Sequence, residues 1–291
     1  MRRERPARLA GIDHVLVGVR DLDAARRTYA HLGFTLSPRG VHIGWGTANV
    51  CAMLEGGYIE LLGIVDPDQF TNNLDRFLVQ REGLLGLALA SDDAVALAAD
   101  LRSRGIAAED PKTLKRTLEA PGGTVEPEFT LVHLPPGTIP GGPAFVCQHR
   151  TPDLVWQAPW LTHANGARAL VSVTAVVEDP GAATLACAPV FGADAVMAGL
   201  GTVEVETGRG RLRFTSPEGL ARLYPGLAAV PRFAPPWLAG LRVAVDDIGR
   251  TAAYLAHAGV AAFHDGGTVL RLAPEAACGV MLEFAAAGCG A

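Results

Sequence analysis

Charge, aromatic rings and cysteine are all scarce in this chain. Only 19% of the 291 residues are charged and 6% are aromatic, while 49% are hydrophobic. That balance excludes a disordered, charge-driven chain and fits a compact protein with room for two domains. The net charge of −5 gives no electrostatic reason to expect nucleic acid or an anionic membrane as partner. Five cysteines, at positions 51, 147, 187, 278 and 289, form no CxxC pair. Their odd number and irregular spacing speak against a disulfide framework or zinc cluster, and suit small buried residues in a reducing cytoplasm. No run of about 18 apolar residues occurs, so no membrane span is expected. Residues 1–10 carry four arginines but no apolar stretch of the kind a signal peptide needs, and are read as a frayed tail. GxGxxG, Walker and GxSxG motifs are missing, which removes the usual grounds for phosphoryl transfer or serine hydrolysis.

What the chain does have is a repeat. Four times an apolar run ends at an Asp, a helix-like stretch follows, and a Gly with an apolar neighbour closes it. The four Asp positions are Asp21, Asp92/Asp93, Asp179 and Asp246/Asp247, and the four glycines are Gly33, Gly105, Gly192 and Gly259. The Asp suits a helix N-cap and the Gly a left-handed C′ position, with about three helical turns between them. Helices are expected over 22–31, 94–103, 181–190 and 248–257, each preceded by a buried strand. Shorter strand candidates follow each Gly: 34–37, 48–54 and 58–64; 106–108, 130–134 and 144–149; 203–206 and 211–215; 269–272 and 280–284. The order strand, helix, three strands predicts an α+β fold of four βαβββ modules paired into two half-barrel domains. With one helix per module, a doubly wound sheet is the weaker reading. The divisions are a tail 1–10, a first domain 11–152, a boundary segment 153–168, a second domain 169–286 and a tail 287–291.

The residues Gly11-Ile-Asp13-His14-Val, Arg20-Asp21-Leu-Asp-Ala-Ala, His42-Ile-Gly44-Trp45-Gly46-Thr47-Ala48-Asn49 and Gly57-Tyr58-Ile59-Glu60-Leu61-Leu62 carry a family resemblance. So do His149-Arg-Thr-Pro and His163-Ala-Asn165-Gly166-Ala. Within the βαβββ pattern they resemble the vicinal oxygen chelate superfamily, which includes glyoxalase I, extradiol dioxygenases and bleomycin resistance proteins. Over roughly residues 11–175 the chain is similar to its glyoxalase-like domain subgroup.

The resemblance implies a cleft that often holds a divalent metal, with side chains from first and last strands as ligands. His14 falls on the first-strand position and Glu60 on the last-strand position of module one. Neutral imidazole and carboxylate both suit a divalent ion, and iron, manganese, nickel and zinc all remain open. Module two offers Leu85 or Gly86 where a second first-strand His would stand. Its last strand ends at His149, taken as the third ligand, with His133 in reserve. Each has a plainer reading: His14 as a core histidine, Glu60 paired with an arginine or solvent, His149 in a loop pairing.

Residues 41–49 read as a pocket-shaping loop, with Trp45, Thr47 and Asn49 as substrate contacts, or as a tight hairpin connection. His42 and His163 are the candidate catalytic bases. Asn165 is a further substrate contact, with a domain-boundary turn as the alternative for His163 and Asn165. In the second half only Glu283 echoes Glu60, and Ser172 stands where His14 does, so no metal is expected there. The functional expectation is a cytoplasmic metalloenzyme with lyase, isomerase or extradiol dioxygenase chemistry on a small molecule with vicinal oxygens. The alternative is a metal-free binding or sequestration protein, with a homodimer left open in either case.

Overall fold

The computed structural model describes residues 9–120, 122–199, 202–227, 230–264 and 266–287. Cys289 and the tails 1–8 and 288–291 lie outside the described residues. The first half runs β1 (Leu9–Gly18), α1 (Leu22–His31), β2 (Gly40–His42), β3 (Thr47–Leu54), β4 (Gly57–Ile64), α2 (Leu74–Gln80), β5 (Gly83–Ser91), α3 (Ala94–Ser103), β6 (Lys112–Ala120), β7 (Gly123–Val125), β8 (Glu128–His133) and β9 (Ala144–His149). A one-turn helix α4 (Pro152–Val155) leads to the second half. There follow β10 (Ala167–Val176), α5 (Pro180–Phe191), β11 (Val196–Gly199), β12 (Thr202–Glu206), β13 (Arg211–Thr215), α6 (Pro217–Leu223), β14 (Trp237–Val245), α7 (Ile248–His257), β15 (Phe263–His264), β16 (Val269–Leu272) and β17 (Met281–Ala286).

The four repeat helices start where the Asp residues predict. Asp21 accepts from the amide of Ala24, Asp93 from Ala96, Asp179 from Gly181 and Ala182, and Asp247 from Gly249 and Arg250. Each side chain answers an amide that the first helical turn leaves free. Gly33 shows why the closing residue is glycine. Its φ is +92°, and a Cβ there would stand 2.8 Å from the Asn165 Cβ.

Several short elements differ from expectation. Residues 34–37 and 106–108 are not strands; the chain runs on to β2 and β6 before it pairs. Strands β6 and β11 and helices α2 and α6 were not foreseen. Leu9 and Ala10, expected outside the first domain, belong to β1, where Leu9 pairs with Ser91.

Each half is built on one sheet. The first runs β2-β3-β4-β1-β5-β9-β8-β6-β7, and β2 also pairs with β6. That extra seam sets Gly40 opposite Leu118 and His42 opposite Arg116, and closes eight strands into a barrel. The second sheet, β11-β12-β13-β10-β14-β17-β16-β15, is open. Both centre on an antiparallel pair of first strands, β1 with β5 and β10 with β14.

Strand alternation sorts the side chains. Val15, Val17, Ile59 and Leu61 join a continuous apolar cluster that includes α1, α3, α5, α7 and residues of both halves. The ring pair Phe34–Phe284, with centroids 5.9 Å apart, ties the halves across it. His14, Tyr58 and Glu60 take the other face and look into the barrel. The boundary segment forms part of the barrel's inner cluster. Val155 and Trp160 pack with Cys51, Met53, Tyr58 and Cys147, and Trp156 Nε1 donates to the Leu54 carbonyl at 3.2 Å.

The concave face of the second half is occupied by its own chain. Leu220 and Tyr224, on and just after α6, pack with Val176, Trp237, Ala239 and Met281. Gly240 stands seven residues before Asp247, the spacing of His14 before Asp21; a Cβ there would lie 2.0 Å from the Tyr224 hydroxyl. Glu283 accepts from Arg242 and Arg271, each at 2.9 Å. The echo of Glu60 is thus held by two guanidiniums. Replacing Glu283 with Ala leaves those cations without their shared carboxylate and should cost about 3 kcal/mol in urea unfolding. A loss below about 1 kcal/mol contradicts a structural role for this ion pair.

Candidate active site

The barrel of the first half surrounds a cavity that opens to solvent. Apolar walls come from Leu16, Leu62, Leu131, Tyr58, Phe129 and Phe145. Its polar groups converge from β1, β2, β3, β4 and β6: His14, His42, Asn49, Glu60 and Arg116. An apolar pocket with a few convergent polar groups is the ordinary form of a small-molecule site.

Those groups are joined in a chain. Asp13 Oδ1 lies 2.6 Å from His14 Nδ1. His14 Nε2 lies 3.4 Å from Glu60 Oε2. Glu60 Oε1 accepts from Asn49 Nδ2 at 2.6 Å, and Asn49 Oδ1 accepts from Arg116 Nη1 at 2.7 Å. His42 presents Nε2 to the same amide at 3.3 Å and to Glu60 Oε1 at 3.8 Å, while its Nδ1 meets the Thr47 hydroxyl at 2.7 Å. His14 is further stacked on Tyr58, with ring centroids 4.3 Å apart. Asp13, His14, Asn49, Glu60 and Arg116 are all buried, so each charge and donor must be met inside the protein.

The environment sets the protonation of several groups. Burial opposes the Asp13 carboxylate, but hydrogen bonds from His14 and His149 outweigh it and hold Asp13 well below the usual carboxylate range. Burial pushes His42 down from 6.5 to about 4, against the pull of Glu60 and with the help of Arg116 and His14. His42 is therefore a neutral imidazole at neutral pH. Burial raises the thiol of Cys51 to about 11 and that of Cys147 well above its ordinary value, so both are protonated.

The donor set can be tested against a divalent ion. Asp13 occupies His14 Nδ1, which leaves Nε2 facing Glu60 Oε2. An imidazole nitrogen and a carboxylate oxygen 3.4 Å apart are bridged either by a proton or by a metal ion. Two ligands at roughly 2.1 Å on a tetrahedral ion lie about 3.4 Å apart, so the spacing fits. Asp13 behind His14 and Asn49 behind Glu60 stand where outer hydrogen bonds would orient the two groups if they held a metal. A second grouping, Asp13, His14, Cys147 and His149, has one ligand atom from each within 4.8 Å of the others and could also hold a metal. Using Nδ1 of His14 there would break its 2.6 Å contact with Asp13.

The candidates from the sequence are distributed as follows. His14, Glu60, His42, Trp45, Thr47 and Asn49 all line the cavity. Thr47 contacts the His42 ring, and Trp45 stands at the mouth against Phe70, with ring centroids 5.1 Å apart. His149 lies on the far side of Asp13, bonded to Oδ1 at 3.0 Å, in a depression shared with Trp156 and Arg209. His133 lines the cavity. His163 and Asn165 do not. Thr35 donates its amide to His163 Nδ1 at 3.0 Å, and His163 Nε2 meets the Met53 carbonyl at 2.7 Å, so neither nitrogen is free for proton transfer. Asn165 bonds Leu32 O and Ala167 N, and its own carbonyl accepts from Thr251. It fastens the end of α1 to the second half, outside the lining of the cavity.

Arg116 escaped the sequence reading because β6 was not recognised. Leu114, Arg116 and Leu118 are spaced by two and share one face, so a cation on an apolar strand face was the available signal. Asp13 stood in the resembling motif without a role.

With this geometry in view, residues 12–191 match the family described as glyoxalase-like domain. The chain belongs to the glyoxalase-like domain family. The match takes in the whole barrel, the boundary segment and the strand and helix that open the second half of this glyoxalase-like protein. Among curated proteins none matches. Among solved structures, a hypothetical protein from Staphylococcus aureus is similar with a TM-score of 0.66 and 13% identity, over 94% of this chain and 98% of that one. A triple mutant of 4-hydroxymandelate synthase from Streptomyces coelicolor gives 0.60 and 12%, over 96% and 93%. A xylose isomerase-like TIM barrel/4-hydroxyphenylpyruvate dioxygenase fusion protein gives 0.58 and 12%, over 97% of this chain and 49% of that one. At these identities the likeness shows the fold. No described helix is long and apolar enough to cross a membrane.

The state of His42 has a consequence for acid stability. The unfolded chain takes up a proton at about pH 6.5, whereas the folded protein refuses it until about pH 4. The contribution of this residue is complete above pH 6.5 and is lost as pH falls through that window, by up to about 3 kcal/mol. The urea midpoint of the wild-type protein should therefore fall more steeply between pH 7 and 4.5 than that of His42→Gln. Parallel profiles contradict the burial of a neutral His42.

Proposed function

We propose that this protein is an enzyme acting on a small molecule with vicinal oxygens in the first-half cavity, with a divalent ion held by His14 Nε2 and Glu60. The observation that carries the reading is the 3.4 Å approach of those two atoms, each braced from behind by Asp13 or Asn49. Iron, manganese, nickel and zinc all accept an imidazole and a carboxylate. When bound, such an ion supplies Lewis acidity toward two neighbouring substrate oxygens.

The residues of the chain provide the rest. The Asp13–His14 contact fixes the tautomer and angle of the ring. Asn49 holds Glu60 against rotation. His42, neutral and with Nδ1 engaged by Thr47, presents an unprotonated Nε2 beside the Asn49 amide and serves as the proton acceptor. Trp45, Tyr58, Phe129 and Phe145 give flat apolar walls that exclude water around the substrate. The names of two structural relatives, a 4-hydroxymandelate synthase and a fusion containing 4-hydroxyphenylpyruvate dioxygenase, make dioxygenase chemistry one member of this reading. Lyase and isomerase chemistry use the same residues.

Metal analysis of protein purified without chelators tests the proposal. Wild type should hold about one equivalent per chain. Glu60→Gln and His14→Gln should each lose at least about tenfold of it, and Cys147→Ser should keep it. Loss in Cys147→Ser with retention in Glu60→Gln moves the ion to the Asp13 cluster. Metal-free wild type that binds ligand in the cavity makes this a sequestration protein.

A further inference from the structure

Arg116 is unusual company for the apolar half of this cavity. It is 2% exposed, and the ring of Phe129 lies 5.7 Å from its guanidinium carbon. Nη1 is engaged, with Asn49 Oδ1 at 2.7 Å and Cys51 Sγ at 3.5 Å. Nε is buried and has no hydrogen-bond partner. Among the described residues Arg116 forms no ion pair with a carboxylate; Glu60 is reached only through Asn49. A buried guanidinium without a direct counter-charge loses hydration that a polar network must return. Here that return is incomplete by one donor.

The fold makes room for this side chain. Gly40 on β2 lies opposite Leu118 in the closing seam and opposite Asn49 on β3. A Cβ on Gly40 would stand 2.6 Å from Asn49 Oδ1 and 2.9 Å from Arg116 Cδ. The seam has a glycine where the arginine and asparagine need the space. Arg116 and the Glu60–His14 pair line the same cavity, bridged by the Asn49 amide, beside the rings of Tyr58, Phe129 and Phe145.

We infer that Arg116 receives the carboxylate of an organic acid, and that the substrate class of this cavity is a monoanion with an apolar, aromatic-compatible body. The inference rests on the cavity being the substrate site, as proposed above, and adds the charge of what enters it. Carboxylate is preferred to a dianionic phosphate because the cavity lining offers one guanidinium, with no lysine or second arginine. The guanidinium's free donor matches a carboxylate oxygen, and Asn49 keeps the fork oriented.

Calorimetric titration of the purified chain with benzoate, benzamide and phenyl phosphate tests this directly. Wild type should bind benzoate at least about tenfold more tightly than benzamide, and more tightly than phenyl phosphate. Arg116→Gln keeps a donor for Asn49 but removes the charge, and should erase that preference while leaving benzamide affinity unchanged. Arg116→Lys should restore part of it. Circular dichroism and metal content, measured on the same samples, should match wild type in both variants. Equal affinity of wild type for benzoate and benzamide overturns the proposal. So does a benzoate preference that survives in folded Arg116→Gln, and so does tighter binding of phenyl phosphate. An Arg116-dependent benzoate preference in a wild type that holds no metal would sink the metal reading and leave this one standing.

Discussion

Glu60 is a carboxylate inside a closed barrel, and the surrounding architecture answers to that fact. A buried carboxylate is held by hydrogen-bond donors or cations, or it does not stay ionised. Asn49 supplies one donor, and His14 and His42 approach from two sides. Arg116 completes the line through the other end of the same amide. Each of these comes from a different strand, so the register of the barrel sets the spacing. The seam between β2 and β6 is central here, because it brings Arg116 and His42 onto opposed positions. Without closure, Arg116 would sit on an exposed strand edge.

The second half shows the same problem answered in another way. Glu283 is also a carboxylate on a last strand, and it is buried. Two arginines hold it, and Tyr224 fills the space where a first-strand ligand would stand. The sheet stays open and its concave face is covered by α6 and the residues after it. One copy of the duplicated fold therefore gathers histidines, a carboxylate and an arginine around its cavity, while in the other the matching carboxylate is paired with arginines and its pocket is lined mainly by apolar residues such as Val176, Leu220 and Trp237. Through Asn165 and the Phe34–Phe284 contact, the second half supports the first.

Much of this was legible in the residues, for a physical reason. N-cap Asp and C′ Gly act locally, so the four helices could be placed from spacing alone. His14 and Glu60 were legible because a charged group in an apolar strand needs an explanation wherever it occurs. The failures concern what local chemistry does not encode. His163 and Asn165 look like site residues in sequence, but tertiary packing commits every polar atom of their side chains to backbone. His149 stands on the expected strand, yet it meets Asp13 behind His14 and not the cavity in front of it. Strand β6 was missed because Lys112, Thr113, Lys115 and Thr117 interrupt its few apolar positions, and only closure of the barrel makes it a wall of the site.

The direct measurement is whether an ion binds and where. A crystal grown with manganese, with data collected above and below the manganese edge, locates it by anomalous difference density. The account predicts one peak in the first-half cavity, about 2.1 Å from both His14 Nε2 and Glu60 Oε2, and none in the second half. A peak bounded by Asp13, Cys147 and His149, or one beside Glu283, would contradict it.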